Sequence, residues 1–401
     1  MNICFITSEY INPFRGGIER VTYDLYNALS NYGHCVYVLS KEQPIQDTEK
    51  VDENCKSLPD SNVCSVKNKE YLICFFKKHK IGFVVNNSHH QSVFDLLLLC
   101  KKEYSFKLIS AIHTDPNAII KNLRDSWDWD CNATFLSVKI KRIYFFYYLC
   151  RYLIKYYLRK KAQHQWYAKL YKDSDAIVLL SERYIPEFLK ILGIHESYKI
   201  FAIANPIKKR RDENWKQKEK MVIWVGRMEQ YAKRPDRIIK IWEELEKQFQ
   251  EWKLYMIGDG PLRGDLEKYC NSKKLNSVIF TGKTDPKLYY ERAEILCLTS
   301  TYEGFGVVLT EALEYGVIPF AFDSYTAVRD IIVTGQNGFL IRPFELKQYA
   351  CSLSTLLAND LLRNQIRDNI TSLDAIKQFD IELIVKKWII LFENLRLKNY
   401  D

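Results

Sequence analysis

The chain has 401 residues, enough for two compact domains, and 47% of its residues are hydrophobic, which excludes a disordered chain. The formal net charge is +10 at pH 7, and no apolar run reaches the length of about 18 residues that predicts a membrane-spanning helix. The first residues, MNICFITSEY, lack the basic region of a signal peptide, and the eleven cysteines form no CxxC pair. We therefore expect a cytoplasmic location.

The positive charge is concentrated in one segment. Between Cys131 and Lys172 there are ten Lys and Arg residues and no Asp or Glu. Charge confined to one element argues against a nucleic-acid-binding surface that extends across the fold. The sequence thus predicts no nucleic-acid partner and one basic helical segment, residues 137–172, that faces an acidic partner.

Strand-like apolar runs alternate with helical patterns through the first half of the chain. The runs are NICFIT, CVYVLS, GFVVNN, FKLISAIH and DAIVLL, and the helical pattern GIERVTYDLYNALSNYG follows the first of them. Strands separated by helices predict right-handed crossovers and a parallel sheet. We expect a Rossmann-like N-terminal domain over residues 1–204, with the basic segment 137–172 inside it.

The same alternation restarts after the charged run KKRRDENWKQKEK. Its strand-like runs are MVIWVG, KLYMIG, SVIF, EILCLTS and VIPFAF, with helices expected from about Pro235 and Val307. The pattern predicts a second doubly wound α/β domain over residues 205–375. The last helical stretch, within residues 376–401, precedes no strand, and we expect it to cross back onto the first domain.

The candidate ligand-binding residues follow strands in both halves. In doubly wound domains, ligands bind beyond the carboxyl ends of the strands, where helix N-termini attract anions. Gly16 and Gly17 open the helix after the first strand of the chain. Arg227 follows the strand MVIWVG, and Lys233 lies six residues further on. Both side chains suit a diphosphate group.

The stretch STYEGFGVVLTEALEYG begins where the strand EILCLTS ends. Its loop comprises Glu303, Gly304, Phe305 and Gly306. Because glycine has no Cβ, amides of this loop can approach a phosphate closely. Glu311 lies just over one turn inside the next helix, where its carboxylate can reach a pair of ribose hydroxyls. The spacing predicts a site for one nucleotide sugar.

The chain resembles the retaining glycosyltransferases of family 4. The motifs that carry the resemblance are GGIERV at 16–21, VGRMEQYAKRPD at 225–236, IGDGP at 257–261, the pair Glu303 and Glu311, and GQNGFLI at 335–341. The resemblance covers most of the chain and implies the GT-B fold, two Rossmann-like domains facing a central cleft. It also implies that the C-terminal domain binds a nucleotide diphosphate-sugar and the N-terminal domain binds the acceptor.

The resemblance implies a role for individual residues. Arg227 and Lys233 correspond to the diphosphate clamp, and Glu311 to the ribose ligand. Glu303 resembles the residue near the donor sugar. His113, at the end of the run FKLISAIH, resembles the cleft histidine placed against the sugar or the acceptor. The turn DSYTAVRD replaces a Gly-rich turn found in many members, so the sugar end of the pocket is unusual.

These features predict transfer of a sugar from a UDP- or GDP-sugar substrate to a hydroxyl of a saccharide or glycolipid acceptor. The anomeric configuration is expected to be retained, without a cofactor or metal ion, and no carboxylate is identifiable as a covalent nucleophile. The sequence DWD at 128–130 mimics a metal-binding DxD motif, but no strand leads into it, so we interpret it as surface. A sugar-nucleotide 2-epimerase of the same fold and a non-catalytic nucleotide-sugar-binding protein remain alternatives.

The basic segment has two possible explanations. On a helical wheel, Arg151, Lys155 and Arg159 share one face with two tyrosines, and apolar side chains line the opposite side. An ordinary helix packing its apolar face on the first domain would show this pattern. A segment rich in Lys, Arg, Tyr and Phe also fits a helix in the headgroup region of an anionic leaflet. We expect the second case, a peripheral protein on the inner face of the cell membrane whose acceptor is lipid-linked, as in lipopolysaccharide, capsule or O-antigen assembly.

Overall fold

The computed structural model describes most of the chain in two compact units. The described residues are 1–11, 17–43, 53–121, 123, 138–207, 218–372 and 374–397, with the backbone alone for 138–148. Unit 1 consists of residues 1–113, 164–208 and 378–401, and unit 2 of residues 114–163 and 209–377. Gly16, Asp128 and Asp130, which the sequence singled out, lie outside the described residues.

The described residues of unit 1 form a seven-stranded parallel sheet. In chain order the strands are β1 (Asn2–Thr7), β2 (Cys35–Ser40), β3 (Cys55–Ser57), β4 (Phe83–Asn86), β5 (Lys107–Ile112), β6 (Ala176–Leu179) and β7 (Ile200–Ala202). They lie in the order β3-β2-β1-β4-β5-β6-β7, and every pair is parallel. In chain order, β2 and β3 are therefore added on one side of β1, and β4 to β7 on the other, so the strand order reverses between β1 and β4.

Helices connect these strands. They are α1 (Ile18–Asn31), α2 (Val66–Lys78), α3 (Gln91–Lys101), α4 (Val138–Asp173) and α5 (Tyr184–Leu192). Helix α1 shows why the pattern works: Val21, Leu25 and Leu29 recur at helical spacing and are at most 3% exposed. The apolar stripe that the sequence displays is the face that becomes buried.

Unit 2 contains a second parallel sheet, of six strands in its described part. The strands are β8 (Glu219–Val225), β9 (Lys253–Ile257), β10 (Val278–Gly282), β11 (Ala293–Leu298), β12 (Ile318–Phe322) and β13 (Phe339–Ile341). Their order is β10-β9-β8-β11-β12-β13, with parallel pairing throughout. The helices are α6 (Pro235–Leu245), α7 (Arg263–Lys273), α8 (Lys287–Tyr290), α9 (Val307–Glu314), α10 (Val328–Ile331), α11 (Leu346–Ala358) and α12 (Asp360–Ser372). Here the strand order reverses between β8 and β11.

The last helix, α13 (Ile381–Leu397), belongs to unit 1. Its Trp388 packs edge-on against Phe5 of β1, with ring centroids 6.4 Å apart, and its Phe392 lies 5.0 Å from Phe83 of β4. The N–H of Ile207 donates to a carbonyl oxygen just before the helix at 2.8 Å. The end of the chain thus supplies part of the core that surrounds the first strand.

The prediction of an α/β fold with two doubly wound parallel sheets is confirmed. Strands β3, β7 and β13, of three residues each, are too short to form a recognisable apolar run. The sequence placed the whole basic segment 137–172 in the first domain, whereas residues 114–163 group with unit 2. A hydrogen bond from Lys121 to the Ser324 carbonyl joins this segment to the rest of unit 2, and the Gln163 amide donates to the Pro116 carbonyl within the segment.

Helix α4 is largely exposed over the stretch from Cys150 to Ala162. Four apolar side chains of this stretch, Leu153, Ile154, Tyr157 and Leu158, are between 54% and 66% exposed. A helix that packed an ordinary apolar face on a domain would bury them, so that alternative does not hold for these residues. The residues that the helical wheel uses at positions 143–148 lie outside the part of the helix whose side chains are described. No helix in the described ranges has the length and apolarity to cross a membrane.

Candidate functional site

The neighbouring strands β8 and β11 position the main candidate site in unit 2. Because they are paired and parallel, the loops that follow them leave the same edge of the sheet side by side. The first loop carries Arg227 and Lys233, and the second carries Glu303 and the glycine loop up to Gly306. The fold thereby brings the unit 2 candidates to the switch point of the sheet.

Hydrogen bonds join the two loops into one structure. The N–H of Thr301 donates to the carbonyl of Ala232 at 2.7 Å, and the Thr299 hydroxyl donates to the carbonyl of Arg234 at 3.0 Å. The guanidinium of Arg237, on α6, donates to the Thr299 carbonyl and to the Thr301 hydroxyl oxygen, both at 3.1 Å. Arg237 is only 5% exposed, so this charge is buried and bonded. Neither loop can shift without the other.

Lys233 and Glu303 form an ion pair across the two loops. The Lys233 Nζ lies 2.6 Å from Oε1 of Glu303, and the Ser300 hydroxyl donates to the same oxygen at 2.7 Å. Their side chains are 22% and 12% exposed, and partial burial strengthens the attraction relative to a pair in water. The carboxylate is therefore held in one orientation by two donors.

Arg227 contrasts with Lys233. It is exposed, and its guanidinium makes no hydrogen bond or ion pair with any residue that the structure describes. A guanidinium offers five N–H donors in a planar arrangement that matches phosphate or carboxylate oxygens. Arg227 is therefore free to bind an anion at this edge of the sheet.

The glycine loop ends at the N-terminus of α9. Gly306 is the N-cap, with a φ of 87°, in the left-handed region that favours glycine. A Cβ at Gly306 would lie 2.2 Å from the Tyr325 hydroxyl oxygen, so a larger residue does not fit. Phe305 is 2% exposed and anchors the loop. The first N–H groups of α9 have no partners within the helix and form an anion-binding end.

Glu311, which the sequence predicts as a ribose ligand, is buried in this structure. It is 6% exposed, and its Oε2 accepts a hydrogen bond from the Tyr290 hydroxyl at 2.9 Å. The Tyr290 ring stacks on Tyr315, with centroids 5.7 Å apart, and covers this side of the helix. Replacing Glu311 by alanine would leave a buried hydroxyl without this acceptor, so it would affect the fold as well as a ligand.

Gly17 and His113 lie in unit 1, at the carboxyl ends of β1 and β5. Gly17 caps α1 with a φ of 73°. Both ring nitrogens of His113 are buried and have no hydrogen-bond partner among the described residues. Burial, with a smaller contribution from His89, whose ring centroid is 6.4 Å away, lowers the pKa of His113 to about 3. The imidazole is thus neutral at physiological pH and still has its donor and acceptor available.

The sequence interpretation missed the residues that hold the site together. Ser300 orients Glu303, Arg237 fixes the loop, and Tyr290 holds Glu311. Of these three residues, only Ser300 could have been found from the sequence, since it lies in the polar stretch that follows the strand. Within the described ranges, no group of three His, Cys, Asp or Glu side chains is placed to hold a metal ion.

Replacing His113 by glutamine should make the protein less sensitive to acid. Above the ordinary histidine pKa of 6.5, the folded and unfolded chains are both neutral at this position. As the pH falls from there, the unfolded chain binds a proton that the folded protein excludes, which lowers the free energy of unfolding by about 1.4 kcal/mol per pH unit. In urea unfolding between about pH 7 and 4, wild type should lose stability faster than His113→Gln, and the exposed control His195→Gln should follow wild type. Parallel curves for wild type and His113→Gln would contradict the buried neutral state.

Comparison with known proteins finds similarity in the C-terminal half of the chain. Residues 206–372 match the family model of glycosyl transferases group 1. An uncharacterized glycosyltransferase of Haemophilus influenzae is 29% identical over 192 residues, which cover 47% of this chain and 54% of the relative. A Campylobacter jejuni enzyme, the GalNAc-alpha-(1->4)-GalNAc-alpha-(1->3)-diNAcBac-PP-undecaprenol alpha-1,4-N-acetyl-D-galactosaminyltransferase, is 30% identical over 182 residues, 45% of this chain and 50% of that one. The chain spans about half the length of these curated relatives.

A solved structure extends the likeness to the whole fold. The crystal structure of Anabaena HepE in complex with UDP and glucose superposes with a TM-score of 0.72 and covers 98% of this chain and 100% of that one. The sequence identity is 14%, so this likeness concerns the fold alone. The match over residues 206–372 makes this part of the chain similar to glycosyl transferases group 1, and the two parallel sheets show the GT-B fold.

Proposed function

We propose that the protein is a retaining glycosyltransferase that uses a UDP- or GDP-sugar and a saccharide or glycolipid acceptor. The observation that carries this proposal is the meeting of the β8 and β11 loops at the switch point of unit 2. An unpaired Arg227, the Lys233–Glu303 pair and the glycine-capped end of α9 all belong to these loops. Cations and helix amides at one edge suit a diphosphate, and the carboxylate suits sugar hydroxyls.

In the proposed reaction, the bond from the anomeric carbon to the diphosphate oxygen breaks, and a bond to the acceptor oxygen forms on the same face. Arg227, Lys233 and the amides of Gly304 to Gly306 stabilise the charge that develops on the leaving diphosphate. A phosphate oxygen of the leaving group accepts the proton of the acceptor hydroxyl. The side chains and helix end supply the positive charge, so the proposal requires no metal ion.

The remaining candidates receive roles that fit their surroundings. Glu303 binds hydroxyls of the donor sugar, held in place by Ser300. Glu311 binds the ribose with the carboxylate that Tyr290 orients. Gly17, at the start of α1, gives the donor close access to the backbone. His113, neutral at physiological pH, exchanges hydrogen bonds with the sugar or the acceptor in unit 1. In this proposal unit 2 carries most of the donor-binding residues, and unit 1 carries the acceptor-binding residues together with Gly17.

The similar proteins support the substrate classes. The solved HepE structure contains UDP and glucose, and the Campylobacter jejuni relative is named for an undecaprenol-diphosphate-linked saccharide. A uridine nucleotide and a lipid-linked acceptor are the corresponding choices for this chain. A sugar-nucleotide 2-epimerase of the same fold would need no acceptor, and a binding protein would release no product.

A donor panel tests the proposed function. Purified protein is incubated with UDP- and GDP-sugars, with and without an extract of lipid-linked saccharides, in the presence of EDTA. We expect nucleotide diphosphate release from one donor, only when acceptor is present, and an α-linked product from an α-linked donor by NMR. Release that EDTA abolishes and manganese restores would contradict metal independence. An interconverted sugar nucleotide without acceptor would identify an epimerase.

Removing either cation of the site should slow the reaction strongly. We expect Arg227→Ala and Lys233→Ala to lower kcat by about two to three orders of magnitude, the usual loss for one electrostatic donor to transition-state charge. Steady-state kinetics with the donor found above measures the effect. Lys347→Ala, at an exposed position of α11, removes an equal charge and should keep the wild-type rate. Wild-type rates in both site variants would place the diphosphate elsewhere.

We further propose that α4 binds an anionic membrane surface from the cytoplasmic side. The exposed apolar group Leu153, Ile154, Tyr157 and Leu158 is surrounded by five exposed cations, Arg151, Lys155, Arg159, Lys160 and Lys161. Acidic side chains are absent between residues 131 and 172. Apolar side chains that enter the headgroup region and cations that attract anionic lipids together support binding in the plane of the interface. Such binding would present a lipid-linked acceptor to the protein.

Reversing the charge of α4 should abolish membrane binding. Wild type is expected to sediment with phosphatidylglycerol-containing liposomes in low salt and to release in high salt, because salt screens the attraction. The triple variant Arg151→Glu, Lys155→Glu, Arg159→Glu should stay in the supernatant. The control triple Lys67→Glu, Lys77→Glu, Lys78→Glu makes the same charge change on exposed positions of α2 and should still sediment. Equal sedimentation of both variants, or none by wild type, would contradict the proposal.

A further inference from the structure

The turn after β12 is bonded to the loop that carries Glu303. The hydroxyl of Ser324 donates to the carbonyl oxygen of Ser300 at 2.8 Å. Ser300 is 1% exposed, and its own hydroxyl donates to Oε1 of Glu303. A shift of Ser324 would therefore move the backbone that sets the orientation of the carboxylate. This turn belongs to the sequence DSYTAVRD, which departs from the Gly-rich pattern of the family.

Lys121 holds this turn from a distant part of unit 2. Its Nζ donates to the carbonyl oxygen of Ser324 at 2.9 Å and to Oδ2 of Asp115. Asp115 is fully buried, and its other carboxylate oxygen accepts the N–H of Asn117 at 2.7 Å. The ammonium is thus bonded to a fixed carboxylate on one side and to the turn on the other. Lys121 itself is 27% exposed, so it can be replaced without opening the core.

The turn has a second anchor of a different kind. Arg329 binds Asp323 through two nitrogens, at 2.9 and 2.6 Å, but the Arg329 side chain is 58% exposed, and an ion pair with one exposed partner contributes little. The Tyr325 hydroxyl oxygen packs against Gly306, on the same glycine loop that follows Glu303. The turn thus contacts the functional loop at Ser300 and at Gly306, and Lys121 is its partly buried connection to Asp115.

We infer that Lys121 is a positioning residue for the donor-sugar end of the site, acting through Ser324 and Ser300 on Glu303. This inference rests on the proposed function for its kinetic effect. Lys121 fixes the backbone of the turn, the turn fixes the Ser300 carbonyl, and the Ser300 hydroxyl keeps Glu303 beside Lys233. The chain of bonds reaches Lys233 only through Glu303, and it does not include Arg227 or the amides at the start of α9. Loss of Lys121 should therefore affect the sugar-transfer step more than nucleotide binding.

Kinetic comparison of three variants tests the inference. Lys121→Met keeps the length of the side chain and removes the ammonium, and we expect kcat to fall about 2- to 30-fold, the range for coupling through a bonded network. Affinity for the nucleotide diphosphate, measured by calorimetry, should stay within about twofold, since Arg227 and the amides at the start of α9, which also bind the diphosphate in the proposed function, lie outside the bonded chain. Lys121→Arg, which retains a donor cation, should recover part of the rate. Lys347→Met, on α11, is the matched control and should behave as wild type.

A double-mutant cycle and hydrogen exchange make the test independent of stability. Ser324→Ala alone should lower kcat, and combining it with Lys121→Met should cost less than the product of the two single effects. In the ligand-free protein, amides of residues 300–306 should exchange faster in Lys121→Met than in Lys347→Met. Suppose that wild type is active. The inference would then be overturned if Lys121→Met had unchanged kcat and unchanged exchange rates, or if its melting temperature fell while its kcat stayed unchanged. An inactive wild type would overturn the proposed function, and the exchange result would still decide whether Lys121 fixes the loop.

Discussion

The pairing of β8 with β11 is the constraint on which the rest of unit 2 depends. Strands β9 and β10 and their helices lie between these two strands in sequence, yet the chain returns to the free edge of β8 to add β11. That return places two loops side by side that are about 70 residues apart in sequence. The hydrogen bonds of the buried Arg237 and of the threonines then fix the two loops to each other. The ion pair, the free arginine and the glycine-capped helix end exist as a group only because of this strand order.

Much of this could be predicted from the sequence, for identifiable reasons. Buried parallel strands such as Ala293–Leu298 are continuous apolar runs, which makes them recognisable in the sequence. The polar residues directly after such a run can then be assigned to the loop at the carboxyl end of the strand. The orientation of a side chain is not revealed in this way. Glu311 occupies the expected turn of α9, but its burial depends on Tyr290, from another element of the fold. Lys121 reads as an ordinary surface lysine, because its partner Ser324 lies 203 residues away. Short strands such as β7 form through pairing, and their three residues carry too little pattern to be found.

The ion pair between Lys233 and Glu303 gives the ligand-free site its own counter-ion. Two unpaired cations beside a helix end would attract any phosphate, including free nucleotides and inorganic phosphate. With Lys233 already neutralised by Glu303, an isolated phosphate must compete with a carboxylate for the ammonium. A ligand that offers hydroxyls to Glu303 while it offers phosphate oxygens to Lys233 satisfies both groups at once. If the proposed function holds, this arrangement would favour a diphosphate that carries a sugar over the same diphosphate without one.

The position of α13 late in the chain affects the order in which the two units fold during synthesis. The core of unit 1 combines β1, at the beginning of the chain, with Trp388 and Phe392, close to its end. Until those last residues leave the ribosome, Phe5 and Phe83 lack their aromatic partners. The strands of both sheets, within residues 2–202 and 219–341, precede this helix in the chain. Unit 1 therefore completes its core only after the sheet of unit 2 has been synthesised, and until then apolar side chains of β1 and β4 lack their cover.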